Sequence, residues 1–195
     1  MLILSLIQKL HRNPRTRKLL WKHMYQFLMG SYRATDWTFS NYGYSPVRRD
    51  EETPQLHPSE EVDRYCIQLY HHVANPSDLK GLRVLEVGSG RGGGSAYYKR
   101  YFHPRVLIGV DLSQKAVAFS TGCHRLEGLS FLPADAECLP FRHNTFDVVV
   151  NVESSHCYPS MEAFVDEVAR VLRPGGYFLF ADFRPNGRLE TLRDE

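Results

Sequence analysis

The sequence predicts an α/β fold built on a doubly wound parallel sheet, with a helical extension before it. Two observations lead to this prediction. Short apolar segments and amphipathic segments alternate five times between residues 83 and 184, as parallel strands joined by crossover helices require. The first apolar segment runs directly into a glycine-rich turn, and such turns occur where a parallel sheet binds a ligand at the carboxyl ends of its strands.

The first predicted strand, residues 84–87, has the apolar run expected of a strand covered on both faces. Glycines then occupy five of the seven positions 88–94, so the backbone can turn sharply and approach a ligand closely. A helix is predicted to begin near Gly93 and to continue through Tyr101. Its first backbone amides would face whatever lies over the turn.

The second predicted strand, residues 106–110, leads into Asp111 and Leu112. An ionised carboxylate only accepts hydrogen bonds, so Asp111 suits the two adjacent hydroxyl groups of a ribose. This stretch therefore predicts a nucleoside-containing cofactor at the carboxyl edge of the sheet.

The glycine spacing leaves the kind of nucleoside open. Gly88, Gly90 and Gly93 fit G-x-G-x-x-G, the dinucleotide pattern. Glu86 followed by Gly88, Gly90 and Gly92 fits E-x-G-x-G-x-G instead. A tight strand-to-helix turn without any ligand is the third interpretation.

The later elements follow the same alternation. Ser113 can cap a helix, a run of valines predicts a central strand, and one apolar stripe at helical spacing predicts an amphipathic helix that stops at Pro174-Gly175-Gly176. The predicted order is helix, strand, strand, helix and strand, at residues 113–126, 129–132, 146–153, 161–172 and 177–182.

The N-terminal part differs in charge from the rest. Residues 1–35 contain seven Lys/Arg and no Asp or Glu, whereas the remainder contains 17 Lys/Arg against 22 Asp/Glu. Residues 1–30 therefore predict either peripheral contact with an anionic membrane or a helix packed on the domain with a solvated basic face. Nothing later in the sequence supports nucleic acid binding. We divide the chain into a basic helical extension and linker, 1–58, and a core, 59–195, whose first helix is capped by Ser59.

The four cysteines are widely scattered, without C-x-x-C or clustered Cys/His spacing. This spacing argues against a zinc site and favours buried free thiols in a reducing compartment, so we expect a cytoplasmic protein. Residues 1–10 are apolar but too short to span a bilayer.

Three further features favour one nucleoside. Asp135-Ala136 follows the third strand and can bind an adenine amino group and a ring nitrogen. Glu86 lies just before the glycines, where a carboxylate suits a cationic sulfonium or ammonium better than a pyrophosphate. With the turn at residues 171–176, these motifs resemble the class I S-adenosylmethionine (SAM) methyltransferases, whose core is Rossmann-like.

Within that class, the chain is similar to the phthiotriolone/phenolphthiodiolone dimycocerosate methyltransferases, over roughly residues 36–187. The resemblance implies SAM as cofactor and O-methylation of a lipid-like or apolar small molecule. It rests on LEV at 85–87, GGG at 92–94, DAE at 135–137, LPF at 139–141, NVESSHCYP at 151–159 and ADFRPN at 181–186.

Candidate residues for the acceptor side follow the fourth strand and the linker. His156 is our candidate general base, because imidazole titrates near neutral pH; a role in packing or in orienting the loop is the alternative. Asn151 and Glu153 are candidates for the cofactor or acceptor wall. Tyr42 and Tyr44, on either side of Gly43, could close the site or simply pack the linker on the core.

Class I sheets normally have seven strands, and the sequence to residue 195 predicts five of them. We therefore expect a core that is incomplete before strands six and seven: a fragment, a truncated product or a chain completed by a partner. The leading hypothesis is a SAM-dependent methyltransferase. The alternative is a catalytically inactive methyltransferase-like binding or scaffold protein, and a nucleotide-dependent dehydrogenase is a distant third.

Overall fold

A computed structural model describes residues 37–48, 52–75 and 77–183. The basic segment 1–30, for which membrane contact is predicted, lies outside these ranges, as does most of the segment that follows the fifth strand. No helix in the described ranges is both long and apolar enough to cross a bilayer.

Within the described ranges, four helices and five strands follow one another in the order that the sequence predicts. A 3-10 helix, Pro58–Asp63, precedes α1, and a second one, Ser155–Cys157, follows β4. The other elements are α1 Arg64–Ala74, β1 Arg83–Val87, α2 Gly93–Tyr101, β2 Val106–Asp111, α3 Gln114–Cys123, β3 Leu129–Pro133, β4 Phe146–Val152, α4 Met161–Val171 and β5 Leu172–Ala181.

The strands form one parallel sheet in the order β3-β2-β1-β4-β5. The chain runs outward from β1 to β3 and then returns to the other side of β1 with β4. The strand order therefore reverses between β1 and β4, and in open α/β sheets the ligand crevice lies at this point. The predicted fold class is confirmed.

Helices cover both faces of the sheet and bury its apolar side chains. On one face, Tyr70 of α1 and Tyr97 and Tyr98 of α2 pack against Val84 and Val150. On the other face, α4 packs on the alternate residues of the central strands, through Phe164 and Val168. Because helices cover both faces of the sheet, β4 is buried at every position, and this burial explains its run of valines.

Two boundaries differ from the prediction. The helix before β1 starts as a 3-10 helix that is capped by His57 rather than Ser59, because Pro58 suits a first helical position. Strand β5 begins at Leu172 instead of 177: Leu172 pairs with Phe146, and the register then shifts before Val148 pairs with Tyr177. The glycines that were expected to end the preceding helix therefore form an irregularity within a strand.

Residues 37–48 pack on the core although they belong to the predicted extension. Phe39 is buried against Tyr70, and the backbone amide of Tyr44 donates to the carbonyl of Tyr65 in α1. The division of the chain at residue 58 stays a prediction.

Candidate functional site

A cavity lies at the carboxyl edge of the sheet, beside the point where the strand order reverses. Apart from Tyr70, its lining comes from five separate stretches of chain, which fall within residues 38–41, 87–91, 110–113, 134–137 and 152–159. Every strand from β1 to β4 thus delivers residues to it, as expected where parallel strands end together.

The glycine turn forms the floor of the cavity. The amides of Gly88 and Ser89 both donate to the Val110 carbonyl, at 2.8 and 2.9 Å, which fixes the turn to the end of β2. Gly88 has a φ of 78°, and a Cβ there would lie 2.1 Å from the Ser154 hydroxyl oxygen. No larger residue fits without moving the segment after β4.

Gly90 lines the cavity, whereas Gly92 lies outside its lining. Gly92 has a φ of 82° and occupies the N-cap of α2, where a Cβ would come within 2.8 Å of His124 and Phe131. Its role is to let α2 start close to β3, which supports the turn from behind.

Asp111 stands directly beside the turn. One of its carboxylate oxygens accepts the amide of Gly90 at 2.9 Å, and the other accepts the amide of Ser113 at 2.8 Å. Burial raises the pKa of Asp111, and these two backbone hydrogen bonds oppose the rise. Each oxygen has a further lone pair, so the carboxylate can also accept from ligand hydroxyls. Leu112 lines the cavity next to it.

Asp135 and Ala136 follow β3 and line the same cavity. Their loop is held by the amide of Glu137, which donates to the Asp135 carboxylate at 3.1 Å, and by a one-residue bridge between Asp135 and Cys138. The structure thus brings Asp111 and Asp135 to one hollow with the glycine turn.

Glu86 lies behind the turn, outside the lining of the cavity. Its side chain has no solvent exposure, and the Ser95 hydroxyl donates to Oε2 while Oε1 has no hydrogen-bond partner. Burial raises the pKa of Glu86 to about 7, against hydrogen bonds from Ser95 and Tyr70 that lower it. This carboxyl group can therefore change its charge near neutral pH.

Asn151 also lies behind the lining. Its side-chain amide donates to the Val87 carbonyl at 2.9 Å, to the Ser154 hydroxyl at 2.7 Å and to the Tyr158 hydroxyl at 3.1 Å. These contacts join the end of β1 to the segment after β4. Asn151 is placed to hold the walls together.

His156 lies in the 3-10 helix after β4, between cavity-lining residues but outside the lining itself. Its Nδ1 is 2.8 Å from one oxygen of Asp182, whose side chain is only 1% exposed, and its backbone amide donates to the other oxygen. Burial lowers the pKa of His156, but hydrogen bonds to Asp182 and Cys157 outweigh burial and raise the pKa to about 9. Phe183 covers the ring at 4.4 Å between centroids.

Of the other acceptor-side candidates, Glu153 alone lines the cavity. It adopts an unusual positive φ of 45°, and its carboxylate accepts the backbone amide of Tyr42 at 2.7 Å. The Tyr42 ring is 84% exposed and packs edge-on against Phe183, whereas Tyr44 stacks on His72 at a separate small hollow. Residues 38–41, not the tyrosine rings, form this wall.

Three further residues of the site are not predicted from the sequence. Asp182 orients His156, while Asn41 and Ser89 line the cavity with buried side-chain oxygens that have no hydrogen-bond partner. Asp182 could have been found, because it follows β5 at the same edge of the sheet at which Asp111 ends β2. Nothing in the sequence shows which side of the irregular segment 37–48 faces inward.

The cavity fits a nucleoside that carries a positive charge. Four carboxylates, Asp111, Asp135, Glu137 and Glu153, border it, and they would repel a pyrophosphate. Arg91 is the basic residue among the described lining residues, and its guanidinium stacks on Phe119 at 3.5 Å from the ring centroid. The unpartnered oxygens of Asn41 and Ser89 can accept from a ligand. No group of three His, Cys, Asp or Glu side chains suited to a metal occurs in the described ranges.

The sequence is similar to those of known proteins. Residues 85–180 match a family described as methyltransferase domain. The chain is 47% identical to a fatty-acid O-methyltransferase of Mycolicibacterium smegmatis over 167 residues, which are 84% of this chain and 59% of that protein. It is 44% identical over 177 residues to the phthiotriol/phenolphthiotriol dimycocerosates methyltransferase of Mycobacterium tuberculosis, covering 89% of this chain and 64% of that protein.

A solved structure has the same fold: the geranyl diphosphate C-methyltransferase of Streptomyces coelicolor, in complex with S-adenosyl-L-homocysteine, matches with a TM-score of 0.65 at 20% identity. The match covers 81% of this chain and 62% of that one. Together with the sequence relatives and the cavity at the strand reversal, this likeness confirms the resemblance seen in the motifs. The chain belongs to the class I family of S-adenosylmethionine-dependent methyltransferases.

Proposed function

We propose that this chain binds SAM in the cavity and transfers its methyl group to an oxygen atom of a lipid-like acceptor. The observation that carries the proposal is the meeting of Asp111, Asp135 and the glycine turn in one cavity. The chain spans 59% and 64% of the length of the two relatives named above, so their activities enter here as support for a proposal.

The residues that would hold the cofactor divide by chemistry. Asp111 would accept from the ribose hydroxyls, and Asp135 with the amide of Ala136 would bind the adenine edge. Gly88 and Gly90 have no side chains, so the cofactor can approach the backbone at the floor of the cavity closely. Glu86 provides a carboxyl group behind this floor. When bound, the cofactor supplies a methyl group on a cationic sulfur.

The lipid-like acceptor is supported by two features. The relatives are named for fatty-acid and for phthiotriol/phenolphthiotriol substrates, which are lipids. In this chain, exposed rings of Tyr42 and Phe183 pack together beside His156, at 5.2 Å between centroids. An apolar surface of this kind suits the hydrocarbon part of an acceptor. Membrane contact through residues 1–30 and a cytoplasmic location stay predictions.

We propose that His156 acts on the acceptor oxygen, and its environment separates two kinds of acceptor. An alcohol must lose a proton, so it needs His156 as a neutral general base. A carboxylic acid is already ionised, and an imidazolium would attract it. Since Asp182 helps to raise the pKa of His156 to about 9, the cationic form prevails at neutral pH and favours the carboxylate.

The test is methyl transfer from labelled SAM to hexadecanoic acid and to hexadecanol, between pH 6 and pH 10. We expect transfer to the acid to fall as the pH rises through about 9, because His156 loses its charge. Transfer to the alcohol should instead rise through the same pH.

His156→Ala should lower transfer to the acid roughly tenfold to a hundredfold, the usual effect of losing a hydrogen bond to a charged group. Transfer to the alcohol should fall at least about a hundredfold, the usual contribution of a positioned base. His143→Ala, at an exposed histidine, is the matched control. Transfer that is the same in His156→Ala and in the original chain would exclude the role of His156. Absence of transfer to either lipid, in a chain that binds SAM, would argue for the binding or scaffold alternative.

A further inference from the structure

Asn41 lines the cavity and carries a buried side-chain oxygen that has no hydrogen-bond partner. Its side-chain amide donates from Nδ2 to the Cys66 carbonyl in α1 at 2.9 Å, and a carbonyl acceptor identifies this atom as the nitrogen. The other end of the side chain, Oδ1, is therefore the atom left for a ligand. It is buried, has no hydrogen-bond partner and belongs to a residue that lines the cavity.

The backbone holds Asn41 firmly in this place. The Cys66 thiol donates to the Asn41 carbonyl at 3.6 Å, and the next amide, that of Tyr42, donates to Glu153 at 2.7 Å. A buried carbonyl oxygen without a partner is unfavourable, so a fixed one at a ligand cavity favours a ligand that brings a hydrogen-bond donor.

The surroundings of Asn41 select the charge of that donor. Glu153 lines the same wall, and its positive φ of 45° is a strained conformation for a residue other than glycine. Burial raises the pKa of Glu153, while the amide of Tyr42 and the charge of His156 oppose the rise. A carboxylate beside a carbonyl acceptor favours a cation with several N–H donors over another anion.

SAM carries one such group apart from its sulfonium, the α-ammonium of its methionine part. Asp111 ends β2 and Asp135 follows β3, both on one side of β1, and they account for the adenosine part, whereas Glu153 follows β4 on the other side of β1. We infer that the side-chain carbonyl of Asn41, with the carboxylate of Glu153 beside it, binds the α-ammonium of the cofactor. This inference rests on the proposed function, because it requires SAM in the cavity, and it adds a cofactor contact from the segment before the core.

Calorimetry can isolate this contact without any methyl transfer. The two ligands are S-adenosylhomocysteine, which keeps the ammonium, and its analogue with hydrogen in place of the α-amino group. The variants are Asn41→Leu, which removes the acceptor oxygen, and Asn41→Asp, which keeps one. Both variants lose the side-chain N–H that donates to the Cys66 carbonyl. The effect of this loss therefore cancels when the two variants are compared. Ser45→Ala, at an exposed residue of the same segment, is the control.

We expect Asn41→Leu to weaken the binding of S-adenosylhomocysteine roughly tenfold to a hundredfold, the usual effect of losing a hydrogen bond to a charged group. The binding of the deaminated analogue should weaken less than about twofold. Asn41→Asp should retain most of the preference for the ammonium. Far-ultraviolet circular dichroism of each variant checks that it is folded.

Two results would overturn the inference while leaving the proposed function intact. One is that Asn41→Leu weakens the binding of both ligands equally, which would mean that Asn41 only shapes the cavity. The other is unchanged binding of both. If the original chain bound neither S-adenosylhomocysteine nor SAM, the proposed function would fail together with the inference.

Discussion

Glu86 carries a carboxyl group that has no contact with solvent, and its protonation is linked to folding. Its pKa is about 7 in the folded chain, compared with 4.5 for an ordinary glutamate. A raised carboxyl pKa stabilises the fold at low pH, and the contribution is lost as the pH rises from about 4.5 through about 7. The two pKa values correspond to a total loss of about 3 kcal/mol.

We predict that Glu86→Gln, which cannot ionise, removes this pH dependence. The difference in the free energy of unfolding, variant minus original chain, should be up to about 3 kcal/mol larger at pH 8 than at pH 5. Urea titrations at each pH measure this difference. Glu127→Gln, at an exposed glutamate, controls for the loss of one negative charge. Parallel pH profiles for Glu86→Gln and the original chain would contradict the raised pKa.

The residues that the sequence could predict are those next to a strand end. Asp111, Leu112, Asp135 and Ala136 all line the cavity, because a parallel sheet brings its carboxyl ends to one edge. Asn41 escaped prediction, since its position depends on a hydrogen bond to Cys66, 25 residues away, in a segment without periodicity.

At the scale of the elements, α1 and α2 pack unusually closely through a glycine. A Cβ on Gly94, in the first turn of α2, would lie 1.9 Å from the ring of Tyr70 in α1. Tyr70 is buried and also donates a hydrogen bond to Glu86, so it has little freedom to move. This contact brings α1 against the cavity.

We predict opposite effects for two glycine-to-alanine substitutions in helices. Gly94→Ala should lower the free energy of unfolding by about 1–3 kcal/mol, the usual cost of overpacking. Gly122→Ala, in α3, meets no atom within 4 Å and should raise it by up to about 1 kcal/mol, because alanine favours helices. Urea unfolding measures both, and a stabilising Gly94→Ala would show that α1 and α2 can separate.

Element order and type followed from the sequence, because the alternation of apolar and amphipathic segments reflects the layers of the fold. The start of β5 did not, since Arg173-Pro174-Gly175-Gly176 has the composition of a turn. Pairing with β4 turns it into a strand with a register shift, and that pairing joins residues that are distant in sequence.

At the scale of the whole molecule, the cavity joins segments from residue 38 to residue 159. A ligand that binds there must therefore stabilise the folded chain as a unit. At a hundred times its dissociation constant, SAM should add about 2.7 kcal/mol, which corresponds to a rise in Tm of roughly 5–10 °C for a chain of this size.

Differential scanning fluorimetry with SAM and with NAD tests this expectation. We expect the rise with SAM and no comparable rise with NAD, because the carboxylates of the cavity disfavour a pyrophosphate. Asp111→Asn, which changes the ribose-binding carboxylate, should reduce the rise. A larger shift with NAD than with SAM would contradict the assignment of the cavity.

The hydrogen bond between Asn151 and the Val87 carbonyl spans 64 positions of the chain and ties β4 to the end of β1. Protein synthesis delivers β1 to β3 first, so the growing polypeptide has its glycine turn long before it has the opposite wall. The opposite wall of the cavity forms only after β4 has inserted beside β1. Affinity for the cofactor should therefore arise late in the synthesis of the chain. Ribosome-bound intermediates that end before residue 151 should be unable to retain it.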